Sequence, residues 1–148
     1  MRYEFEDSIG YWIAIANQGF ARAITEKLAP HGITYRQAQV LGYLELDGPQ
    51  TQKALCGRML IEPPSLVGVL NRMELAGLVE RRGCPDDRRR KLIYPLPPAE
   101  AIWEKVAGCA REVRAQAAKG LSTSEVAQLK TLLQKVHQNV SSTSPTAA

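Results

Sequence analysis

The sequence predicts a mainly α-helical protein, a winged helix-turn-helix: a three-helix core plus a two-stranded β wing, flanked by N- and C-terminal helices. Three observations predict it. Apolar residues recur at steps of three and four through most of the chain, the period of helices with one buried stripe. That period changes once, between Leu78 and Tyr94, where a charged turn separates two short extended runs. The 148 residues, 45% hydrophobic and 23% charged, suffice for one buried core and not for two ordinary domains.

The first helix is expected from Ser8 to about Leu28, with Ile9, Ile13, Ala16, Phe20 and Ile24 on one stripe and Asp7 or Ser8 as its cap. Pro30 and Gly32 break the pattern, and Thr34 restarts it. The second helix then carries Ala38, Val40, Leu41 and Leu44 as far as Asp47 and Gly48. After a turn at Gly48-Pro49, Gln50 to Leu60 reads as a short helix with Ala54, Leu55 and Met59 inward. A fourth helix opens at Pro63-Pro64, because proline is tolerated where a helical N–H has no partner anyway. Its inner stripe is Leu66, Val69, Leu70 and Met73; Ser65, Val67, Gly68, Asn71 and Arg72 lie on the other face until Gly77 stops it.

Leu78 to Arg82 and Lys91 to Tyr94 read as the two strands of a hairpin whose turn is Gly83-Cys84-Pro85-Asp86-Asp87. Helical spacing returns from Ala99 to Lys119 with Ile102, Val106, Cys109 and Val113, then, after Gly120 and a capping Ser122 or Thr123, with Val126, Leu129, Leu133, Val136 and Val140. The tail from Ser141 to Ala148 has no periodicity and is expected to be disordered.

Composition excludes several functions. No apolar run approaches the roughly 20 residues that span a bilayer, and the N-terminus lacks a charged segment followed by an apolar one, so a soluble, cytoplasmic chain is expected. Three cysteines, Cys56, Cys84 and Cys109, form no CxxC pair and have only His31 and His137 as histidine partners, which disfavours disulfides and structural zinc. There is no phosphate-binding glycine loop, GxSxG elbow or HExxH, and no nucleophile with a base, so neither an enzyme nor a cofactor or metal is expected.

Charge points elsewhere. Lys and Arg outnumber Asp and Glu by 19 to 15, a formal +4. Between Glu80 and Lys91 the basic residues Arg81, Arg82, Arg88, Arg89, Arg90 and Lys91 face the acids Glu80, Asp86 and Asp87, so a net +3 sits on the hairpin. Local clustering is what counterion release from a polyanion rewards. Two helices with a tight connection, followed by such a hairpin, place a second helix for a major groove and a basic finger beside it.

PSLVGVLNRMELAGLVERR followed by DDRRRKLIYPL resembles the recognition helix and wing of the MarR family of winged-helix transcription regulators, SlyA-like members included. The likeness rests on the proline near the helix start, the Arg-hydrophobic-Glu near its end, the GLVERR transition and the Asp-x-Arg of Asp87 and Arg89. It spans about Ser8 to Val140. The resemblance implies sequence-specific binding of double-stranded DNA, with Pro64, Ser65, Val67 and Gly68 facing the major groove and Arg72 approaching a phosphate. It further implies that Arg89 enters the minor groove, flanked by Arg88 and Arg90, and that Asp87 orients the wing. Val67 and Gly68 stand where relatives carry polar or basic side chains, so specificity is expected to lean on the wing and on DNA shape. Pro95-Leu96-Pro97-Pro98 departs from the family's Leu-Thr after the second wing strand.

The implied domains are an N-terminal dimerisation helix at 1–30, the DNA-binding winged helix at 34–97 and C-terminal dimerisation helices at 98–140, giving a homodimer on a pseudo-palindromic operator. The likeness also implies a repressor relieved by a small aromatic or phenolic effector, with Trp12, Tyr43 and His31 as candidate pocket residues. Cys84, among arginines, is a candidate redox sensor. The alternatives are a redox regulator acting through that thiol and a winged-helix protein–protein adaptor without DNA binding.

Overall fold

The structure is a computed structural model and describes residues 4–141. Its elements are α1 (Ile9–Leu28), α2 (Tyr35–Asp47), β1 (Gln50–Thr51), α3 (Gln52–Met59), α4 (Pro63–Leu75), β2 (Val79–Gly83), β3 (Lys91–Pro95), α5 (Pro98–Ala117) and α6 (Thr123–Ser141). Single 3-10 turns at Phe5–Asp7 and Ala29–His31 bracket α1. No helix among the described residues is long and apolar enough to cross a membrane. The tail expected to be disordered lies outside the described residues from 142 onward, and Ser141 itself closes α6.

Helix starts are set by local hydrogen bonding. Ser8 Oγ accepts from Tyr11 N at 3.4 Å, and Thr51 Oγ1 from Ala54 N at 3.1 Å. Thr34 and Gln37 cap each other's backbone N–H at 3.2 and 3.0 Å, and Ser122 and Glu125 repeat the arrangement at 3.1 and 2.7 Å. Each such cap satisfies donors that the first helical turn leaves without partners. Gly77, at φ 68°, ends α4 in the left-handed region where a side chain would be strained.

The two wing strands β2 and β3 form the expected hairpin, and β1 joins them in a three-stranded antiparallel sheet of order β1-β3-β2. Gln50 pairs with Ile93 and Thr51 with Leu92, while β2 pairs with β3 from Val79↔Pro95 to Gly83↔Lys91. Two residues are too few to show a period, and Thr51 also caps α3, so this strand was hidden inside the expected helix. Pro95 ends β3 at its register partner Val79, a strand-end position where its missing N–H removes little pairing.

The chain divides into two compact units, one running to Val113 and one starting at Arg114. The first holds two packed clusters. Val40, Leu41 and Leu44 of α2 meet Leu55, Cys56 and Met59 of α3, Leu66, Val69, Leu70 and Met73 of α4, and Val79 and Ile93 of the sheet. Leu28, Ile33 and Ala38 pack with Val106 and Cys109 of α5. Two expectations change here: Ala54 is exposed, while Cys56 lies in the core, and the α1 stripe is not buried. Ile9 is 66% exposed and Phe20 49%, leaving Leu28 as the buried residue of that helix. In the second unit, α6 has no buried residue, and Leu129, Leu132, Leu133 and Val140 are exposed.

Candidate nucleic-acid interface

The outward face of α4 is built by its inward one. Leu66, Val69, Leu70 and Met73 are buried, which turns Pro64, Ser65, Val67, Asn71 and Arg72 to solvent, with Gly68 half-buried. Pro63 and Pro64 have no N–H, and the N–H groups of Ser65 and Leu66 both bond to Glu62 O, at 3.1 and 3.4 Å. The helix start therefore offers side chains to a partner, not free backbone donors. Arg72 Nη1 lies 3.8 Å from where a Cβ on Gly68 would stand, an ordinary contact distance.

β2 is bound to this helix by Arg81. Its guanidinium donates to Glu74 Oε2, to Asn71 Oδ1 at 3.0 Å and to Gln52 Oε1 at 3.3 Å, while its backbone N–H donates to Glu74 Oε1 at 3.0 Å. One half-buried arginine thus joins α3, α4 and the wing. Arg82 lies over the Tyr94 ring, 4.7 Å from its centroid, and pairs with Glu80. Both arginines are occupied by the fold, so the free positive charge of the hairpin is narrower than its composition implies.

That charge gathers at the tip. Cys84 N donates to Arg90 O at 2.7 Å, Arg90 N to Asp87 O at 3.0 Å, and Arg89 N to Asp87 Oδ1 at 3.0 Å. Asp87 closes the turn by the local side-chain-to-backbone bond typical of aspartate. Arg88, Arg89 and Arg90 are exposed and take part in no ion pair among the described residues. From Asp86 to Lys91 four cations stand against two carboxylates, one of them occupied by the turn.

The residues considered for an effector pocket are not brought together. Trp12 Nε1 donates to Glu6 O at 2.7 Å, with its ring edge-on to Tyr11. His31 sits exposed in the Ala29–His31 turn. Tyr43 is half-buried against the core under the Arg58 guanidinium, 5.1 Å from its centroid. A cavity of about 320 Å³ lies elsewhere, between Leu41, Leu44 and Glu45 of α2, the Pro95–Pro97 turn, and Glu100 and Trp103 of α5. None of Trp12, His31 or Tyr43 lines it. The Pro95–Pro98 run was visible as a departure in sequence; that it opens a cavity follows from which helix faces it, and no local pattern encodes that.

The cysteines separate by environment. Burial, and secondarily the charge of Glu62, pushes the Cys56 thiol up, so it stays protonated. Cys109 Sγ contacts Lys27 O at 3.4 Å within the second cluster. Cys84 is half-buried at the mouth of the wing.

A helix pair on a packed core, an exposed second helix and an adjoining basic hairpin define a winged helix-turn-helix. Comparison with known proteins names its kind. The sequence model of the MarR family matches residues 31–90. Wild-type MarR from E. coli, in its apo form, is 30% identical, with 87% of this chain and 96% of that one covered at a TM-score of 0.77. A probable transcriptional regulator from Pseudomonas aeruginosa is 32% identical over 90% of this chain and 99% of its own, at 0.75. CouR from Rhodococcus jostii RHA1, solved with p-coumaroyl-CoA bound, shares the fold at 24% identity, 91% and 95% coverage and a TM-score of 0.77. The chain belongs to the MarR family of winged-helix transcription regulators.

Proposed function

We propose that the protein is a homodimeric, non-enzymatic repressor that grips a pseudo-palindromic duplex and releases it on binding a small effector. The observation that carries this reading is the solvent-facing side of α4 tied by Arg81 to a wing whose tip arginines are unpaired. In it, Pro64, Ser65, Val67 and Gly68 meet base edges and Val67 contacts a thymine methyl, while Arg72 takes a phosphate. Arg89 enters the minor groove between Arg88 and Arg90, where a weakly hydrated guanidinium suits the negative potential, and Asp87 holds the turn that aims it.

Residues 34–97 serve as the DNA-binding part, with 1–30 and 98–140 as the dimerisation regions. The exposed apolar stripe of α1 and, separately, that of α6 support association, because contiguous apolar surface of this kind marks a contact face. Two-fold symmetry then sets two α4 helices about one DNA turn apart. CouR, solved bound to p-coumaroyl-CoA, supports a small-molecule effector on this fold. Action in the cytoplasm goes with this reading.

Fluorescence anisotropy on the chain's own upstream DNA tests it. With roughly 6 to 10 phosphate contacts, affinity falls about a thousandfold or more between 50 and 200 mM salt. A flat response overturns the DNA-binding reading in favour of a protein–protein adaptor.

A further inference from the structure

We propose that the cavity between α2, the Pro95–Pro97 turn and α5 is an effector site selective for hydrophobic cations, and that it acts on the wing through β3. The proposal rests on the DNA-binding reading above and adds the chemical class of the effector. The cavity has the size of a site for one ring and a short chain, at the small end of ligand pockets. Its floor is apolar: Leu41 and Leu44 are buried core residues, and Trp103 presents part of its ring.

Its polar lining is of one sign. Among the described residues, Glu45 and Glu100 are its charged groups, and no lysine, arginine or histidine lines it. Neither carboxylate takes part in an ion pair among the described residues, so neither is neutralised by the fold. An aromatic carboxylate entering here would meet two like charges that no cation among the described lining residues offsets. An ammonium carried on an apolar body gains from both glutamates while its body covers the apolar lining.

The turn that closes the cavity is the end of the wing. Leu96 N bonds to Leu78 O at 2.8 Å, Pro95 is in register with Val79, and Ala99 N bonds to Leu96 O at 2.8 Å. β3 runs from this turn straight to Lys91 at the base of the arginine tip. An occupant that favours a displaced turn thereby favours a displaced wing, and it shifts DNA binding only by that difference in affinity.

The test uses three probes of one shape: 4-phenylbutylammonium, 4-phenylbutanol and 4-phenylbutyrate. Calorimetric titration of the full chain is expected to rank them in that order, the cation at least about tenfold tighter than the anion, a gap of about 1.4 kcal/mol. Glu45→Gln with Glu100→Gln, both at exposed positions, is expected to collapse the ranking. The ammonium probe is further expected to weaken operator binding by wild-type protein. Binding of the butyrate as tightly as the ammonium, survival of the ranking in the double variant, or no binding of any probe overturns the proposal. Operator affinity without probe is read separately: its loss would sink the DNA-binding reading, whereas calorimetry alone decides the cation site.

Discussion

Arg89 and Arg81 lie on the same hairpin, carry the same charge and do different work. Arg81 is held by Glu74, Asn71 and Gln52 inside the fold, while Arg89 is exposed, with its backbone N–H fixed by Asp87 and its guanidinium free. Arg89→Ala is therefore expected to weaken operator binding by about 1–3 kcal/mol and to leave thermal stability and association unchanged, as anisotropy and ultracentrifugation would show. A second pair has a readable pH signature. Lys27 Nζ donates to Glu112 Oε2 at 2.6 Å, and this bond, followed by the lysine's charge, holds the Glu112 carboxyl below its usual range. The same bond raises Lys27. A depressed carboxyl contributes stability above its unfolded pKa and loses it as pH falls through the folded value; a raised lysine loses its contribution as pH rises through its own. Melting temperatures of wild type and Glu112→Gln are thus expected to differ by a small, constant amount near neutrality. The two curves should converge in acid, below the ordinary carboxylate range, and again above the ordinary lysine range.

At the scale of elements, the joint between α4 and the wing matters more than either piece. The sheet gives the wing a base, through β1 on one side of β3, and the Arg81 bonds give it an angle relative to α4. Arg81→Ala leaves the partly buried Glu74 without its cation, a change expected to cost about 1–3 kcal/mol of stability. It should also lower operator affinity more than affinity for random DNA. A merely structural role would lower both alike, so competition with nonspecific DNA separates the two. Leu60, at φ 51° and 90% exposed, is the left-handed residue that lets α3 turn into α4 without a glycine. The caps at Ser8 and Ser122 and the inward stripe of α4 were legible in sequence because they depend on residues within four positions of each other. The Gln50–Thr51 strand was not, since its identity depends on Leu92 and Ile93 some forty positions away.

For the whole molecule, the exposed apolar residues decide the expectation. Ile9, Ile13 and Phe20 on α1 are exposed among the described residues, although their spacing marks a stripe made for burial. Phe20→Glu is expected to yield a folded monomer by sedimentation, with unchanged helical circular dichroism. On the dimer reading proposed above, operator affinity should fall by orders of magnitude, because two half-sites bound by one dimer would act with a high effective concentration. A Phe20→Glu protein that remains dimeric would place the interface elsewhere.

The sequence by itself determined the helices, the caps of the first and last of them, the inward face of α4 and the basic hairpin behind it, because each of these is written in short-range periodicity, proline and glycine placement, and local charge. Family membership was legible for the same reason: PSLVGVLNRMELAGLVERR and DDRRRK are contiguous. Tertiary structure alone decided which arginines are held in ion pairs, that Ala54 turns outward, that a third strand joins the wing hairpin, and that a cavity edged by Glu45 and Glu100 opens where the second wing strand meets α5. Those outcomes depend on contacts between residues far apart in the chain, and a side chain's partners follow from how packed elements meet, which no window of neighbouring residues contains.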